Sequence, residues 1–281
     1  MSSWYDKYLS IYGRPFSEVP PQVVDATRRR LAQLQSSEPA VSLVVIAHNE
    51  ETRLPACLWS LSHIVTRWPV ELIGVNNHST DHTEAVFTAL GVTCLSEEQQ
   101  GPGHARQCGL RHARGRYHFF LDADTLYPPR YVELMMRKLT QPGVAGVGAL
   151  WSFYPDARHS RAALFAYELL RDIFLFVQHF KRPELCIRGM TFAFRADLAA
   201  RVSLRTDIRR GEDGSLALEL KRYGRIRFLC NRQARPVTGY GTLGQRSLWQ
   251  SFIDHARIQA KGIGRIFYRT DHYADTPDNM L

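Results

Sequence analysis

The sequence predicts an α/β fold with a doubly wound, mostly parallel sheet flanked by helices, and two observations predict it. Short, nearly continuous runs of β-branched and apolar residues alternate with helical patterns over about eighty residues from Val41. Strands buried on both faces and joined by crossover helices read this way. A polar cluster also follows the first, second and fourth of these runs. In a doubly wound sheet those positions share the rim outside the carboxyl ends of the strands, where ligands bind.

Residues 41–46, VSLVVI, form the first predicted strand, and His48-Asn49-Glu50 follows it. Helical spacing over 54–68 leads to a second strand at 70–75 and a second polar cluster, Asn76-Asn77-His78-Ser79-Thr80-Asp81. Thr80 and Asp81 suit the cap of a short helix running toward Leu90. A third strand at 92–95, a helix from after Gly101-Pro102-Gly103 to Arg114, and a fourth strand at 117–121 complete the alternation. The fourth strand runs directly into Asp122-Ala123-Asp124. Beyond Pro128-Pro129 the pattern loosens to a helix at 130–139, a strand at 144–150, an amphipathic helix at 162–180 and a strand at 190–195. Glu212-Asp213 then opens a helix toward Tyr223, followed by a strand at 225–229. Residues 1–38 read as a peripheral helical lead-in, 39–240 as one α/β domain, and 241–281 as a C-terminal helix and polar tail packing on it.

With 281 residues, 44% of them hydrophobic, the chain can bury the core of one large domain. Lys and Arg number 36 against 27 Asp and Glu, a net charge of +9 that favours phosphate-rich ligands, nucleic acid or an anionic membrane surface. Arg28-Arg29-Arg30, the one tight basic run, lies in a helical stretch where Val23, Val24, Ala26, Leu31 and Leu34 line the other face, so it reads as a solvated helix face. Five widely spaced cysteines without a CxxC pair argue against a disulfide framework or zinc ribbon and fit a reducing cytoplasm. No basic start with an apolar stretch, and no run of about 18 to 20 apolar residues, marks a leader or a membrane span. The amphipathic stretch 162–180 is interrupted by Glu168, Arg171, Asp172 and Gln178, and its apolar face carries Leu164, Phe165, Leu169, Phe174 and Phe176. Burial of that face against the sheet is the expectation, with contact to a membrane surface or partner as the alternative.

Asp122 and Asp124, one small residue apart at a strand end, direct two carboxylates into one pocket. Mg²⁺ or Mn²⁺ takes such oxygens and shares its remaining positions with water and substrate phosphates. Asp is also a common turn former, so the pattern gains its force from its place after Phe119-Phe120-Leu121.

Four ordered motifs carry a resemblance: VSLVVIAHNEE (41–51), VNNHSTDHT (75–83), GHARQCGLRHARG (103–115) and YHFFLDADT (117–125), joined by GMTFAFRAD (189–197) and GEDGSLALEL (211–220). Together they resemble the family-two glycosyltransferases of GT-A fold over about residues 41–237. The resemblance implies a nucleotide-sugar donor, with Ala47 to Glu50, including Asn49, and Asn76-Asn77 against the nucleoside. It implies Arg106 near the base or diphosphate, and Asp122 on the ribose or holding the metal through water. Asp124 would ligate the metal, beside Ala123 in the motif. Asp213, next to Glu212, would be the general base of an inverting displacement. The alternative, read without the family, is that Glu212 and Asp213 only complement a helix N-terminus and that Arg106 is a solvated helix arginine. His48, His78 and His104 lie on the rim, where turn histidines are common.

Two departures bear on the detail. The family usually carries an Asp in the second motif, where this chain has Asn76-Asn77, which leaves the nucleotide open. Many members also have a histidine after the strand that follows Glu-Asp; Ala234 to Thr238 has none, leaving His255 or His272 as substitutes. Processive synthases carry Gln-x-x-Arg-Trp, whereas Gln245 to Trp249 has Leu248 at the Arg position. The expected enzyme therefore adds one sugar per encounter to a glycan or lipid-linked acceptor, with Trp249 either stacking on that acceptor or packing in the core. It would work in the cytoplasm, in peripheral contact with the cytoplasmic membrane face, and without nucleic acid. A Mg²⁺-dependent nucleotidyltransferase is the first rival, weakened by the glycine-free, acidic Ala47 to Glu51. A catalytically silent nucleotide-sugar-binding module is the second.

Overall fold

The computed structural model of the protein describes residues 3–156, 159–208 and 210–239. In chain order, α1 (Asp6–Leu9) and α2 (Pro21–Leu34) precede β1 (Val41–Ala47), α3 (Leu54–Leu61), β2 (Val70–Asn77), α4 (Thr83–Ala89) and β3 (Thr93–Glu97). Next come α5 (Pro102–His112), β4 (Tyr117–Asp122), β5 (Thr125–Leu126), α6 (Tyr131–Leu139), β6 (Val144–Ala149) and β7 (Ser152–Phe153). The last are α7 (Arg161–Gln178), β8 (Ala193–Arg195), α8 (Ala196–Ala199), α9 (Glu212–Leu220), β9 (Arg225–Leu229) and β10 (Val237–Thr238).

The seven-stranded sheet runs β3-β2-β1-β4-β8-β6-β9, with β8 antiparallel to both neighbours and every other pair within it parallel. A doubly wound, mostly parallel sheet is thus what the alternation predicts. The chain steps outward from β1 to β2 and β3, then returns to the other side of β1 with β4. Its direction of winding reverses between β1 and β4, and the gap outside their carboxyl ends is where such sheets bind ligands. A smaller sheet, β5-β10-β7, brings Thr238 of β10 beside Asp124.

Burial explains the central strands. Val41, Leu43, Val45 and Ala47 join α3 and α6 in the main core, while Val44 meets Val75, Ala105 and Cys108 on the opposite face. Gly109 lets α5 lie close to β1, since a Cβ there would overlap Val44. All five cysteines are free thiols.

Several boundaries differ from expectation. The first crossover helix stops at Leu61 instead of reaching Trp68, because the β-branched run Ile64-Val65-Thr66 is captured by neighbouring chain. The Val65 N–H donates to the Pro129 carbonyl at 2.8 Å, and the Thr66 hydroxyl donates to Glu133 at 3.1 Å. The strand expected at 190–195 begins at Ala193, since Gly189–Thr191 forms a 3-10 turn. In the N-terminal segment, Tyr8, Ile11 and Val19 bury themselves with Ala56 and Leu126, and Leu31 enters the main core. Arg28, Arg29 and Arg30 are exposed, as a solvated helix face requires.

The amphipathic helix α7 corrects the expectation of simple burial. Leu164 faces inward, but Phe165, Leu169 and Phe176 are exposed. Their places inside are taken by Glu168 and Arg171, which hydrogen-bond Phe153 N–H, Ser152 and the Trp151 carbonyl. Among the described residues no helix is long and apolar enough to cross a membrane.

Candidate active site

The three polar clusters meet outside the carboxyl ends of β1, β2 and β4. The loops after β1 and β2 are hydrogen-bonded into one rim: Asn49 N–H donates to Ser79 at 3.0 Å, Glu50 N–H to Thr83 at 2.8 Å, and Glu51 N–H to Asp81 at 3.0 Å. Asn49 takes the left-handed conformation (φ 55°), which Asn tolerates better than most residues, and its side chain accepts from Thr80 N–H at 2.8 Å. Asp81 accepts from Thr83 N–H at 3.0 Å just before α4, but the N-cap itself is His82, whose side chain makes no capping bond, and Thr80 turns to Asn49, so the expected Thr80-Asp81 cap is corrected to a turn that leads into the helix.

Both asparagines that end β2 are committed inward. Asn77 donates to the Glu97 and Gln99 carbonyls at 3.3 and 2.7 Å and accepts from Gly101 N–H at 2.8 Å, tying β2 to the start of α5. Asn76 donates to Glu84 at 3.2 Å and accepts from Ser79 N–H at 3.3 Å. His48 Nδ1 lies 2.7 Å from the Asn77 carbonyl. Ala47 is buried at the end of β1, in register with Asn76.

Asp122 ends β4. Its N–H donates to the Tyr127 hydroxyl at 3.0 Å, which in turn donates to the Met190 carbonyl at 3.2 Å. The Ala123 N–H donates to the Ile46 carbonyl at 3.2 Å and its methyl group joins the main core, so this middle position must be small. Asp124 is anchored from three directions. Tyr12 donates its hydroxyl to the Asp124 carbonyl at 2.7 Å, Thr125 donates to Oδ1 at 3.1 Å, and Thr238 stands 3.5 Å from the same oxygen.

Arg106 joins the two acidic motifs. Its guanidinium, on a residue only 3% exposed, donates to Asp122 Oδ1 at 2.8 Å and to Glu212, and lies 5.0 Å over the Phe120 ring. A buried carboxylate, Glu212, and a partly exposed one, Asp122, thus share one fixed cation in the forked geometry that arginine provides. Arg106 thus bridges the two acidic motifs behind the rim, and its burial corrects the alternative that it is a solvated helix arginine. Gly189 makes room for it, since a Cβ there would overlap the guanidinium. Replacing Gly189 by alanine is expected to displace Arg106 and destabilise the fold by about 1–3 kcal/mol, read as a lower urea midpoint.

Glu212 and Asp213 open α9 after Gly211, whose φ of 91° suits glycine alone among ordinary residues. Both are buried; Asp213 Oδ1 accepts from Gly214 N–H at 2.7 Å, and its charge is felt by Asp122, Arg106 and Glu212. Carboxylate crowding pervades the site. Burial, then Asp124, push Glu50 up to about 8 against the opposing pull of Arg53, 2.8 Å away. Burial raises Asp122 to about 6 and Glu212 to about 7 although Arg106 opposes both, and burial raises Asp124 despite Arg53. Such a surplus of buried negative charge on oxygen donors fits a hard divalent cation. Asp124 and Asp122 are the residues that would hold it. Among the described residues no group of three or more His, Cys, Asp or Glu side chains could enclose a metal, so His48, His78 and His104 complete no such cluster. Trp249, His255 and His272 lie outside the described residues.

Residues absent from the sequence reading also build this corner. Arg53 was legible as the i+3 partner of Glu50, a helical ion-pair spacing. Tyr12 and Thr238 meet Asp124 across more than a hundred positions, and nothing local in the sequence marks them.

Comparison with known proteins agrees with the fold. The description of glycosyl transferase family 2 matches residues 42–201. A putative glycosyltransferase, EpsH of Bacillus subtilis (strain 168), is 36% identical over 104 residues, which cover 35% of this chain and 30% of that protein. The chain therefore spans less than a third of the length of this curated relative. Among solved structures, mannosyltransferase PcManGT from Pyrobaculum calidifontis, in complex with GDP-Man and Mn²⁺, is 19% identical with a TM-score of 0.59, over 89% of this chain and 73% of that one. Glucosyl-3-phosphoglycerate synthase from Mycobacterium tuberculosis, in complex with Mn²⁺, UDP-glucose and phosphoglyceric acid, is 21% identical with a TM-score of 0.53, over 89% of this chain and 86% of that one. The fold is that of the GT-A glycosyltransferases. The chain belongs to glycosyl transferase family 2.

Proposed function

We propose that this protein is an inverting, non-processive glycosyltransferase that moves a sugar from a nucleotide-diphosphate sugar to a hydroxyl of a glycan or lipid-linked acceptor. The observation that carries this reading is the Arg106 bridge, which holds Asp122 and Glu212, and hence the Asp-x-Asp and Glu-Asp motifs, in one site at the point where the sheet reverses its winding. Family membership and the Mn²⁺-bound, sugar-nucleotide-bound neighbours support it.

In this reading the rim built by Ala47 to Glu50 and by Asn76-Asn77 receives the nucleoside. Because the Asn77 amide is held by two carbonyls and Gly101, it shapes that rim, and base contact falls to the backbone around it. Mn²⁺ or Mg²⁺ held by Asp124 and Asp122 would supply positive charge where diphosphate departs. Asp213 takes the proton of the acceptor hydroxyl as its oxygen bonds to the anomeric carbon and the bond from that carbon to the diphosphate breaks. One displacement inverts the configuration. Glu212, paired with Arg106, acts as a positioning residue. Arg53 keeps Glu50 oriented beside Asp124.

The direct test is a screen of nucleotide sugars with Mn²⁺ or Mg²⁺, following release of nucleoside diphosphate. Asp124→Ala is expected to lower turnover at least a hundredfold, about 2.7 kcal/mol of transition-state stabilisation. Turnover that matches the wild type, or that proceeds equally after chelation, removes the proposed role of the Asp pair.

A further inference from the structure

Water-facing helices ordinarily carry their charges outward, yet α7 inverts the rule. Glu168 and Arg171 are buried, while the exposed positions between Arg161 and Lys181 are occupied only by Ala, Phe, Leu, Ile and Val. Of the nine large apolar side chains that stand exposed among the described residues, seven lie within residues 165–180, so this is one continuous patch rather than scattered exposure. Phe165 is 59% exposed, Val177 65% and Phe180 69%. A contiguous apolar patch of this kind marks an interaction surface, whereas single exposed apolar residues need no explanation.

Charge identifies the partner. The stretch 158–188 holds six basic residues against three acidic ones. All three acids are engaged within the protein: Glu168 by Ser152 and the Phe153 N–H, Asp172 by Arg171 and Arg235, and Glu184 by Arg182 and Lys221. Exposed charge along the helix is therefore positive, at Arg161, which also meets Asp6, and at Lys181. An apolar helical face whose own exposed charges are the cations at its two ends, with the exposed Asp156 lying before the helix, is the pattern that lies in the headgroup boundary of an anionic bilayer.

The helix is linked to the site through two strands. Glu168 holds β7 at Ser152 and Phe153, β7 pairs with β10, and Thr238 of β10 stands beside Asp124. Tyr154, just after β7, packs edge-on to Tyr12, which donates to the Asp124 carbonyl.

We infer that α7 docks the protein on an anionic lipid surface, its apolar face in the headgroup boundary, and so turns the Asp124 corner toward an acceptor carried in that surface. The docking stands on α7 alone; the acceptor class rests on the sugar-transfer reading above.

The test is co-sedimentation of the full chain with vesicles of phosphatidylglycerol mixed with phosphatidylcholine, against phosphatidylcholine alone. A triple variant, Leu169→Glu, Ile173→Glu and Phe176→Glu, changes only exposed side chains, and circular dichroism checks that it is folded. The expected result is binding to the mixed vesicles at low salt, weaker binding to phosphatidylcholine alone, and a loss of about tenfold or more in the triple variant. Failure of the wild type to bind the mixed vesicles, or equal binding by the folded triple variant, overturns the inference. So does a wild-type dimer that the variant splits without any vesicle binding, which would assign the face to a second copy of the chain. Vesicle binding without nucleoside diphosphate release from any donor would support docking and remove the sugar-transfer reading. Transfer to a water-soluble acceptor without vesicle binding would do the reverse.

Discussion

Replacing Arg106 by alanine is expected to cost the fold about 3–5 kcal/mol, the range for removing one partner from a buried ion-pair network. The guanidinium is the shared hydrogen-bonding cation of Asp122 and Glu212, and it also packs on Phe120. Its loss leaves two carboxylates facing each other in a poorly solvated space. The direction of the pH dependence follows from their protonation. Glu212 is already raised by burial to about 7 in the folded protein, so the folded state holds its proton more tightly than the unfolded chain. Its contribution to stability is therefore greatest below the ordinary glutamate range and declines as pH rises toward about 7. Without Arg106 the opposing pull disappears and the decline extends to higher pH. Urea unfolding at pH 5 and pH 8 should show the larger loss at pH 8, with Glu212→Gln on the Arg106→Ala background recovering part of it. Arg106→Met restores volume without charge. Recovery by methionine equal at both pH values would mean that packing, and not charge, is what Arg106 contributes.

The sheet was legible in the sequence because each buried parallel strand is written as a local apolar run, and the rim because polarity recurs after those runs. Asp122-Ala123-Asp124 lies at that rim, and Arg106 and the Glu212-Asp213 pair are brought to it. What each side chain does was less legible. Arg106 and Glu212 lie 106 positions apart, and only the fold brings them together across Asp122. Asn77 looks like a ligand-facing amide in sequence, yet its donors meet carbonyls of the next loop, a choice set by where residues 97–101 return. The inversion of α7 was hidden for a different reason. Helical periodicity shows that apolar and charged residues occupy separate faces, but not which face turns inward. The answer depends on the donors of Ser152 and Phe153 that Glu168 satisfies.

Substitution of Asp213 by asparagine separates chemistry from architecture most cleanly, and sugar transfer is expected to fall by about 10²–10⁴. Asparagine keeps the size of the side chain and retains an oxygen to accept the Gly214 N–H, the bond that orients Asp213 in the first turn of α9. It has no carboxylate to receive the acceptor proton. In the proposed reading the donor is held by the rim of β1, β2 and β4, so titration with the nucleoside diphosphate should give an unchanged Kd. Glu212→Gln is expected to behave differently, because its partner is Arg106: thermal stability should fall along with turnover. A drop in kcat for Asp213→Asn with unaltered unfolding and donor affinity identifies Asp213 as the base. A drop confined to KM would instead make it a binding residue, and the proton would then have to leave through another acid of the cluster, with Glu50, raised to about 8 beside Asp124, the next group to test.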